Sequence, residues 1–365
     1  MKIAFDAKRF FHNTSGLGNY SRDLVRILAK YFPENEYILL NKNKSERGSE
    51  ILDNPHVQFI ETSKGTMSRQ LKMGKDAQKQ NADIFHGLSG ELPLKWDKKP
   101  IKKVVTIHDL IFVRYPQYYS FFDRKIHLWK FKKAAQTADK IIAISEQTKS
   151  DIIEYLKVPE GKIEVIYQGC HHAFKEEQSE EFIQKTKEKF NLPERFILNV
   201  GTIEERKNLL NVVKSIDKTE IPLVVVGKKT KYFSKIEQYI KKNKMEKQVH
   251  FLEGVSMDEL AVIYKLADIF VYPSFFEGFG IPVIEALFSK TVAITSNTSC
   301  LPEAGGPDSV YIDPKNYLDI QSKIKFLWAN ESERKRRADK GFEFVQKFND
   351  EPIANELMNL YQKIL

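Results

Sequence analysis

Glu277 and Glu285 stand with seven residues between them, around a Gly278-Phe279-Gly280-Ile281-Pro282 loop. The apolar run Ile269-Phe270-Val271 just before them reads as a buried strand, and the residues from Pro282 onward read as a helix. Pro282 suits a first helical turn, where its missing N–H costs nothing. Gly278 and Gly280 permit a tight loop and close backbone approach to a ligand. The spacing predicts a helix N-terminus with free amides, a natural seat for phosphate. Glu277 falls in the loop, and Glu285 lies about one turn in, its side chain leaning back toward the same end. Ionised carboxylates are strong acceptors for hydroxyls, so a ligand carrying phosphate and sugar hydroxyls, such as a nucleotide-sugar, would satisfy the whole loop. For either acid alone the plainer reading is a helix start whose carboxylate complements the dipole.

A second group, Gly201-Thr202-Ile203-Glu204-Glu205-Arg206-Lys207-Asn208, follows the strand-like Phe196–Val200 and opens a helical pattern. Arg206 and Lys207 are expected where a helix start favours anions. Two fixed cations can neutralise a diphosphate, each charge-assisted bond contributing about 1.5–3 kcal/mol. The alternative is a pair of solvated basic side chains. Elsewhere His108 ends the run Val105-Thr106-Ile107, and Ser15-Gly16-Leu17-Gly18 lies between a first strand and a helix. A histidine at a strand end is more often structural, and Gly-x-Gly alone usually means a turn.

The Glu277/Glu285 signature resembles that of retaining glycosyltransferases with the GT-B fold, glycosyltransferase family four, and the likeness covers nearly the whole chain. The resemblance implies an α/β protein of two Rossmann-like domains facing each other across a cleft. Glu277 would bind donor-sugar hydroxyls, with Gly278, Phe279, Gly280 and Ile281 presenting backbone to sugar and phosphates, and Glu285 would hold the ribose. Arg206 and Lys207 would carry the diphosphate, and Glu277, Arg206, Lys207 and His108 would be the catalytic set. Gly16 would be the closest approach of a glycine-rich loop to the donor phosphate. Val255, in Leu252-Glu253-Gly254-Val255, would lie where the nucleobase is held through backbone groups. Asp6, Lys8 and Arg9 would border the acceptor, and His86 is read as either an acceptor contact or a core residue. Where the family often has another basic residue, Thr202 stands here, and Lys290 and Val292 replace its common Gly and Pro.

The elements that must position these residues alternate throughout, short apolar runs with helical patterns, which implies parallel sheets of βαβ units. Strands are expected at 3–7, 37–40, 57–60, 83–86, 103–107, 141–144 and 163–166, then at 196–200, 223–226, 249–252, 269–271, 291–295 and 310–312. Helices are expected near 18–31, 68–80, 121–138, 146–156, 207–216, 232–242, 257–265 and 282–288. Residues 1–172 form the expected acceptor domain, completed by a C-terminal helix at 350–365, and 173–349 the nucleotide-sugar domain. His171–Ser179 reads as the linker. In open α/β sheets ligands bind beyond the carboxyl ends of the strands, and the candidate residues fall at those ends.

A chain of 365 residues suits two domains, and 42% hydrophobic content fits a globular protein. No apolar stretch approaches the ~18 residues that span a bilayer, and the start reads as a strand rather than a signal peptide. Cys170 and Cys300 form no disulfide framework, so a reducing cytoplasm is expected. No Asp-x-Asp occurs, so no metal and no cofactor is expected. The net charge is +9, with Arg124, Lys125, Lys130, Lys132 and Lys133 interleaved with Phe121, Phe122, Trp129 and Phe131. That helix reads equally as a surface for an anionic membrane on its inner face or as a lysine face over an aromatic core. Nucleic acid is not expected, since no binding module accompanies the charge.

These readings together describe a retaining, metal-independent glycosyltransferase. It moves a hexosyl group, mannose from GDP-mannose on looser likeness, onto a glycan or lipid-linked saccharide in cell-surface polysaccharide synthesis. A UDP-sugar donor and a catalytically silent GT-B binding subunit are the alternatives.

Overall fold

The computed structural model of the chain describes residues 1–65 and 67–365. It divides into two units, Met1–Gly169 with Asn349–Leu365, and Cys170–Phe348.

The first unit holds seven strands: β1 (Lys2–Asp6), β2 (Glu36–Asn41), β3 (Val57–Glu61), β4 (Ile84–Gly87), β5 (Lys102–Ile107), β6 (Lys140–Ala143) and β7 (Ile163–Val165). They form one parallel sheet in the order β3-β2-β1-β4-β5-β6-β7. Side chains alternate across a strand, and here both faces are covered. Ile3, Phe5, Tyr37 and Leu39 enter one core, whereas Ala4, Ile38 and Leu40 enter the other. That explains near-continuous apolar runs instead of alternation.

The helix Asp350–Ile364 packs back onto this unit. Ile353, Ala354, Leu357, Met358 and Tyr361 recur at helical spacing and join the same core as Ile3 and Phe5. Asp350 accepts from Arg26 at 2.7 Å. Inside, Tyr361 OH lies 2.7 Å from His86 Nδ1, and Thr106 Oγ1 lies 2.8 Å from His86 Nε2. His86 is fully buried, and burial pushes its pKa down to about 3. Of its two readings the structure selects the core role: His86 is a neutral link between strand and C-terminal helix.

The second unit holds β8 (Ile197–Val200), β9 (Leu223–Val226), β10 (Val249–Leu252), β11 (Ile269–Tyr272), β12 (Ala293–Ser296) and β13 (Val310–Ile312). Its parallel order is β10-β9-β8-β11-β12-β13. In each sheet the order reverses direction beside the first strand of the unit, between β1 and β4 and between β8 and β11. Crevices at such switch points are where open α/β sheets take ligands.

Several expected elements differ. The helix expected at 68–80 is interrupted, Ser68–Leu71 then Met73–Lys79. Gln70 O, which a continuous helix would offer to the Gly74 amide, accepts from Leu94 N at 2.7 Å instead. The helix expected at 146–156 stops at Asp151 and widens into a π turn over Ile152–Leu156. The expected linker is partly core: Ala173 and Phe174 are buried, and the Phe174 ring meets Tyr264 at 5.4 Å. A helix at Glu180–Lys189, capped by Ser179, follows it.

The helix Phe121–Thr137 leaves three of its four aromatic side chains at the surface. Phe121 is 61% exposed, Phe122 78% and Trp129 56%. Of the four aromatics, Phe131 packs inward, edge-on to Phe112 at 5.2 Å. The other three do not lie over a core.

Candidate functional site

β8 and β11 lie side by side, so the loops that follow them converge at the switch point of the second unit. After β8, Glu205–Lys207 form a single 3-10 turn rather than the start of the expected helix. Asn208 then adopts φ +61°, and the helix runs over Leu209–Ile216. Asn208 holds this conformation because its buried side-chain amide donates to Pro273 O at 3.0 Å and Pro314 O at 2.7 Å. The two cations therefore precede the helix and turn toward the loop after β11.

There they meet Glu277. Lys207 Nζ lies 2.6 Å from Oε1, and the Arg206 guanidinium 2.9 Å from Oε2. Tyr272 OH donates to Oε1 at 2.9 Å and Ser274 Oγ donates to it at 2.7 Å. Lys207 also contacts Tyr272 OH, and Arg206 also pairs with Glu204 at 2.7 Å. Glu277 is 9% exposed. Burial alone would raise its pKa, but Lys207 and Arg206 outweigh that and hold it at about 2. Burial lowers the Lys207 pKa, with Glu277 working against it. The carboxylate is thus ionised, with three donors on Oε1 and the Arg206 guanidinium on Oε2, which keeps acceptor capacity for a hydroxyl.

The loop continues to Gly280 at φ +110°, where a Cβ would come within 2.9 Å of Leu301. The helix Ile281–Phe288 begins there. Its start offers fewer amides than expected. Pro282 has none, and Val283 N donates to Gly280 O at 2.9 Å. The Gly280 and Ile281 amides have no partner among the described residues. Phe279 turns its ring into the interior, 5.3 Å from Phe348, which leaves its backbone to line the loop beside Gly278.

Glu285 lies one turn into that helix and is buried. Tyr264 OH donates to Oε2 at 3.0 Å. Burial raises the carboxyl pKa to about 7 against the pull of this hydrogen bond. Oε1 has no partner among the described residues. Lys290 takes the left-handed conformation, φ +55°, that its place after the helix demands. Val255 is half-buried between β10 and the helix Met257–Leu266, whose first turn is closed by a Ser256/Glu259 capping box.

In the first unit, His108 Nε2 donates to Leu88 O at 2.9 Å, and its ring meets Tyr20 edge-on at 4.6 Å. Burial lowers its pKa to about 4, so it is neutral near pH 7 with Nδ1 as an acceptor. Gly16 opens the helix Gly16–Tyr31, with nothing within 4 Å of an added Cβ. Asp6 is buried and paired with Arg69 at 2.7 Å, and Arg69 pairs with Glu91 at 2.8 Å.

Sequence reasoning missed Tyr264, Tyr272 and Ser274 beside the two glutamates, and the Asp6–Arg69–Glu91 chain. Tyr272 and Ser274 stand inside the most informative stretch, and the polar side chains flanking Pro273 were the available signal. Nothing in the sequence marks Tyr264. Among the described residues no group of three or more His, Cys, Asp or Glu is placed to hold a metal ion.

Comparison with known proteins adds two family matches. Residues 180–344 match the model described as glycosyl transferases group 1, and residues 15–174 match that of glycosyltransferase family 4. The chain is 24% identical to O-antigen chain mannosyltransferase B of Escherichia coli, over 99% of the chain and 100% of that protein. It is 31% identical to O-antigen chain mannosyltransferase RfbU of Salmonella typhimurium, over 61% of the chain and 60% of that protein. Among solved structures, sucrose-phosphate synthase from Thermosynechococcus elongatus superposes with a TM-score of 0.80 at 21% identity, covering 100% of this chain and 99% of that one. Anabaena HepE in complex with UDP-glucose gives 0.77 at 14% identity, covering 100% of both. With parallel sheets of seven and six strands and these relatives along both units, the chain belongs to the family 4, group 1 glycosyltransferases and is an enzyme of the GT-B fold.

Proposed function

We propose that the protein is a retaining, metal-independent hexosyltransferase that moves mannose from GDP-mannose onto a glycan or lipid-linked saccharide. The observation that carries this reading is the pair Arg206 and Lys207, half-buried around Glu277, in the loop that leads to the Gly280 and Ile281 amides, which have no partner among the described residues. A diphosphate arriving there meets two positive side chains and two N–H donors, enough to stabilise the leaving group without an ion. Removing one such donor from a developing anion costs roughly 10²–10³ in rate. Glu277 positions both cations and accepts a donor-sugar hydroxyl, while Oε1 of Glu285 accepts from the ribose. Gly278, Phe279 and Val255 contribute backbone contacts to sugar and base. To the first unit we assign His108 as a neutral hydroxyl acceptor and Gly16 as the closest backbone approach. Retention needs no base on the opposite face of the sugar; the leaving phosphate takes the acceptor's proton.

The mannosyl reading is supported by the two O-antigen mannosyltransferases that resemble the chain. A donor panel reading out nucleotide-sugar hydrolysis tests it, since no acceptor is required. Turnover of GDP-mannose, unchanged by a chelator, supports the proposal. Preference for a UDP-sugar replaces the donor, and binding of none of them leaves a silent subunit.

We further propose peripheral contact with an anionic membrane through Phe121–Thr137, supported by the exposure of Phe121, Phe122 and Trp129 among lysines and arginines. Vesicle co-sedimentation that is unaffected by Phe122→Asp with Trp129→Asp sinks it.

A further inference from the structure

The first unit contains a cavity of about 310 Å³, apart from the residues assigned to the donor. It opens at the carboxyl ends of β2 and β3, where Asn41 and Thr62 stand, and beside Lys8 at the end of β1. Its cationic lining is Lys8, Lys42 and Arg69, and among the described residues no carboxylate lines it. Arg69 is already balanced by Asp6 and Glu91. Lys8 and Lys42 are both exposed and have no ion pair among the described residues. Lys42 Nζ donates to Gly65 O at 3.0 Å, which leaves it further N–H donors. Two positive charges without a counter-charge suit a dianion.

Two lining residues, Thr62 and Ser68, have side-chain hydroxyls without a hydrogen-bond partner among the described residues. Thr62 is 3% exposed and Ser68 1%. A buried hydroxyl left alone costs about 1–3 kcal/mol, so a ligand toward which both side chains rotated would recover that cost. His12 adds a directed group. Its Nε2 accepts from Asn41 Nδ2 at 2.9 Å, which places the ring proton on Nδ1 as a donor. The volume exceeds what a bare phosphate fills, and Met67 and Met73 supply apolar wall.

From this we infer that the cavity binds a phosphate ester carried on a saccharide, with Lys8 and Lys42 on the phosphate and Thr62 and Ser68 completing the contacts. The inference rests on the transferase reading in taking that saccharide to be the acceptor. Repulsion from Arg69, then burial and repulsion from Arg9, lowers the Lys8 pKa. An anion in the cavity relieves that crowding.

The test is a calorimetric titration with mannose 6-phosphate, run on full-length protein carrying Arg206→Ala so that the donor diphosphate site is weakened. Saturable binding is expected, weakening with salt, with no binding of mannose itself. Lys8→Ala with Lys42→Ala should reduce the affinity at least tenfold, and Thr62→Val should reduce it without changing the net charge. Both lysines are exposed, so the double variant should keep the wild-type melting temperature. Vesicles containing a short isoprenyl phosphate distinguish the source. If they bind through the same lysines and mannose 6-phosphate does not, the phosphate is lipid-borne and the site stands. If neither probe binds, or if binding survives loss of both lysines, the inference is overturned while nucleotide-sugar turnover leaves the transferase reading intact. If the probe binds and no nucleotide-sugar does, the cavity stands and the transferase reading fails.

Discussion

Lys207 and Arg206 reach the two oxygens of Glu277 separately, at 2.6 and 2.9 Å, so one buried carboxylate holds both cations of the proposed diphosphate site. Three charged side chains from two loops thus share one hydrogen-bonded unit, steadied by Tyr272 and Ser274. An incoming diphosphate meets cations already aimed, with little reorganisation left to do.

Arg206→Ala is expected to slow donor turnover by roughly 10²–10³. Donor hydrolysis and nucleotide titration, run side by side, separate this loss from weakened binding. Wild-type turnover removes Arg206 from the site.

Glu277→Gln is expected to destabilise the second unit by about 3 kcal/mol at pH 7, the scale of leaving buried charges without their partner. The sign with pH follows from a folded pKa of about 2 against an ordinary value of 4.5. That stabilisation is complete above about 4.5 and is lost as pH falls toward 2. Denaturant melts at pH 7 and pH 3 should show the gap between wild type and variant shrinking in acid. A constant gap contradicts the pairing.

Glu285 runs the other way. Its folded pKa of about 7 lies above the ordinary 4.5, so the folded state keeps a proton that the unfolded chain releases. Its contribution to stability therefore falls as pH rises from about 4.5 to 7. Ribose hydroxyls that donate to the ionised form would pull the pKa down. Nucleotide binding at pH 6 should release close to one proton, measurable by calorimetry in two buffers of different ionisation enthalpy. Glu285→Gln should abolish the release; release that persists assigns the proton elsewhere.

Tyr361→Phe removes the hydroxyl that lies 2.7 Å from His86 Nδ1. A buried nitrogen left without a partner costs about 1–3 kcal/mol. Thermal melting should show the first unit losing that stability, while Phe at a surface tyrosine such as Tyr118 changes little.

Every strand expected from the sequence is present, because a parallel sheet covered on both faces writes itself as short runs such as Leu223–Val226 and Val310–Ile312. Helix interruptions were less legible. The break at Lys72 depends on Leu94 taking the Gln70 carbonyl, a contact between distant residues that no local propensity encodes. The same distinction holds at the site. Glu277, Arg206 and Lys207 were marked by residue type and by following strands. That the cations would point at the carboxylate, instead of standing apart from it, depends on β8 lying beside β11. His86 shows the limit in reverse: its place at a strand end fitted a ligand contact equally well until Tyr361, from the far end of the chain, filled its Nδ1 side.

The return of Asp350–Ile364 to the first unit has a consequence for synthesis. On the ribosome, domains ordinarily fold in the order they emerge, but the first unit lacks one wall of its core until residues 350–364, beyond the whole second unit, have been made. Cys170–Phe348 is contiguous and can close first. The earlier half must wait with Ile3 and Phe5 incompletely covered, which makes nascent chains of this protein natural clients for a chaperone.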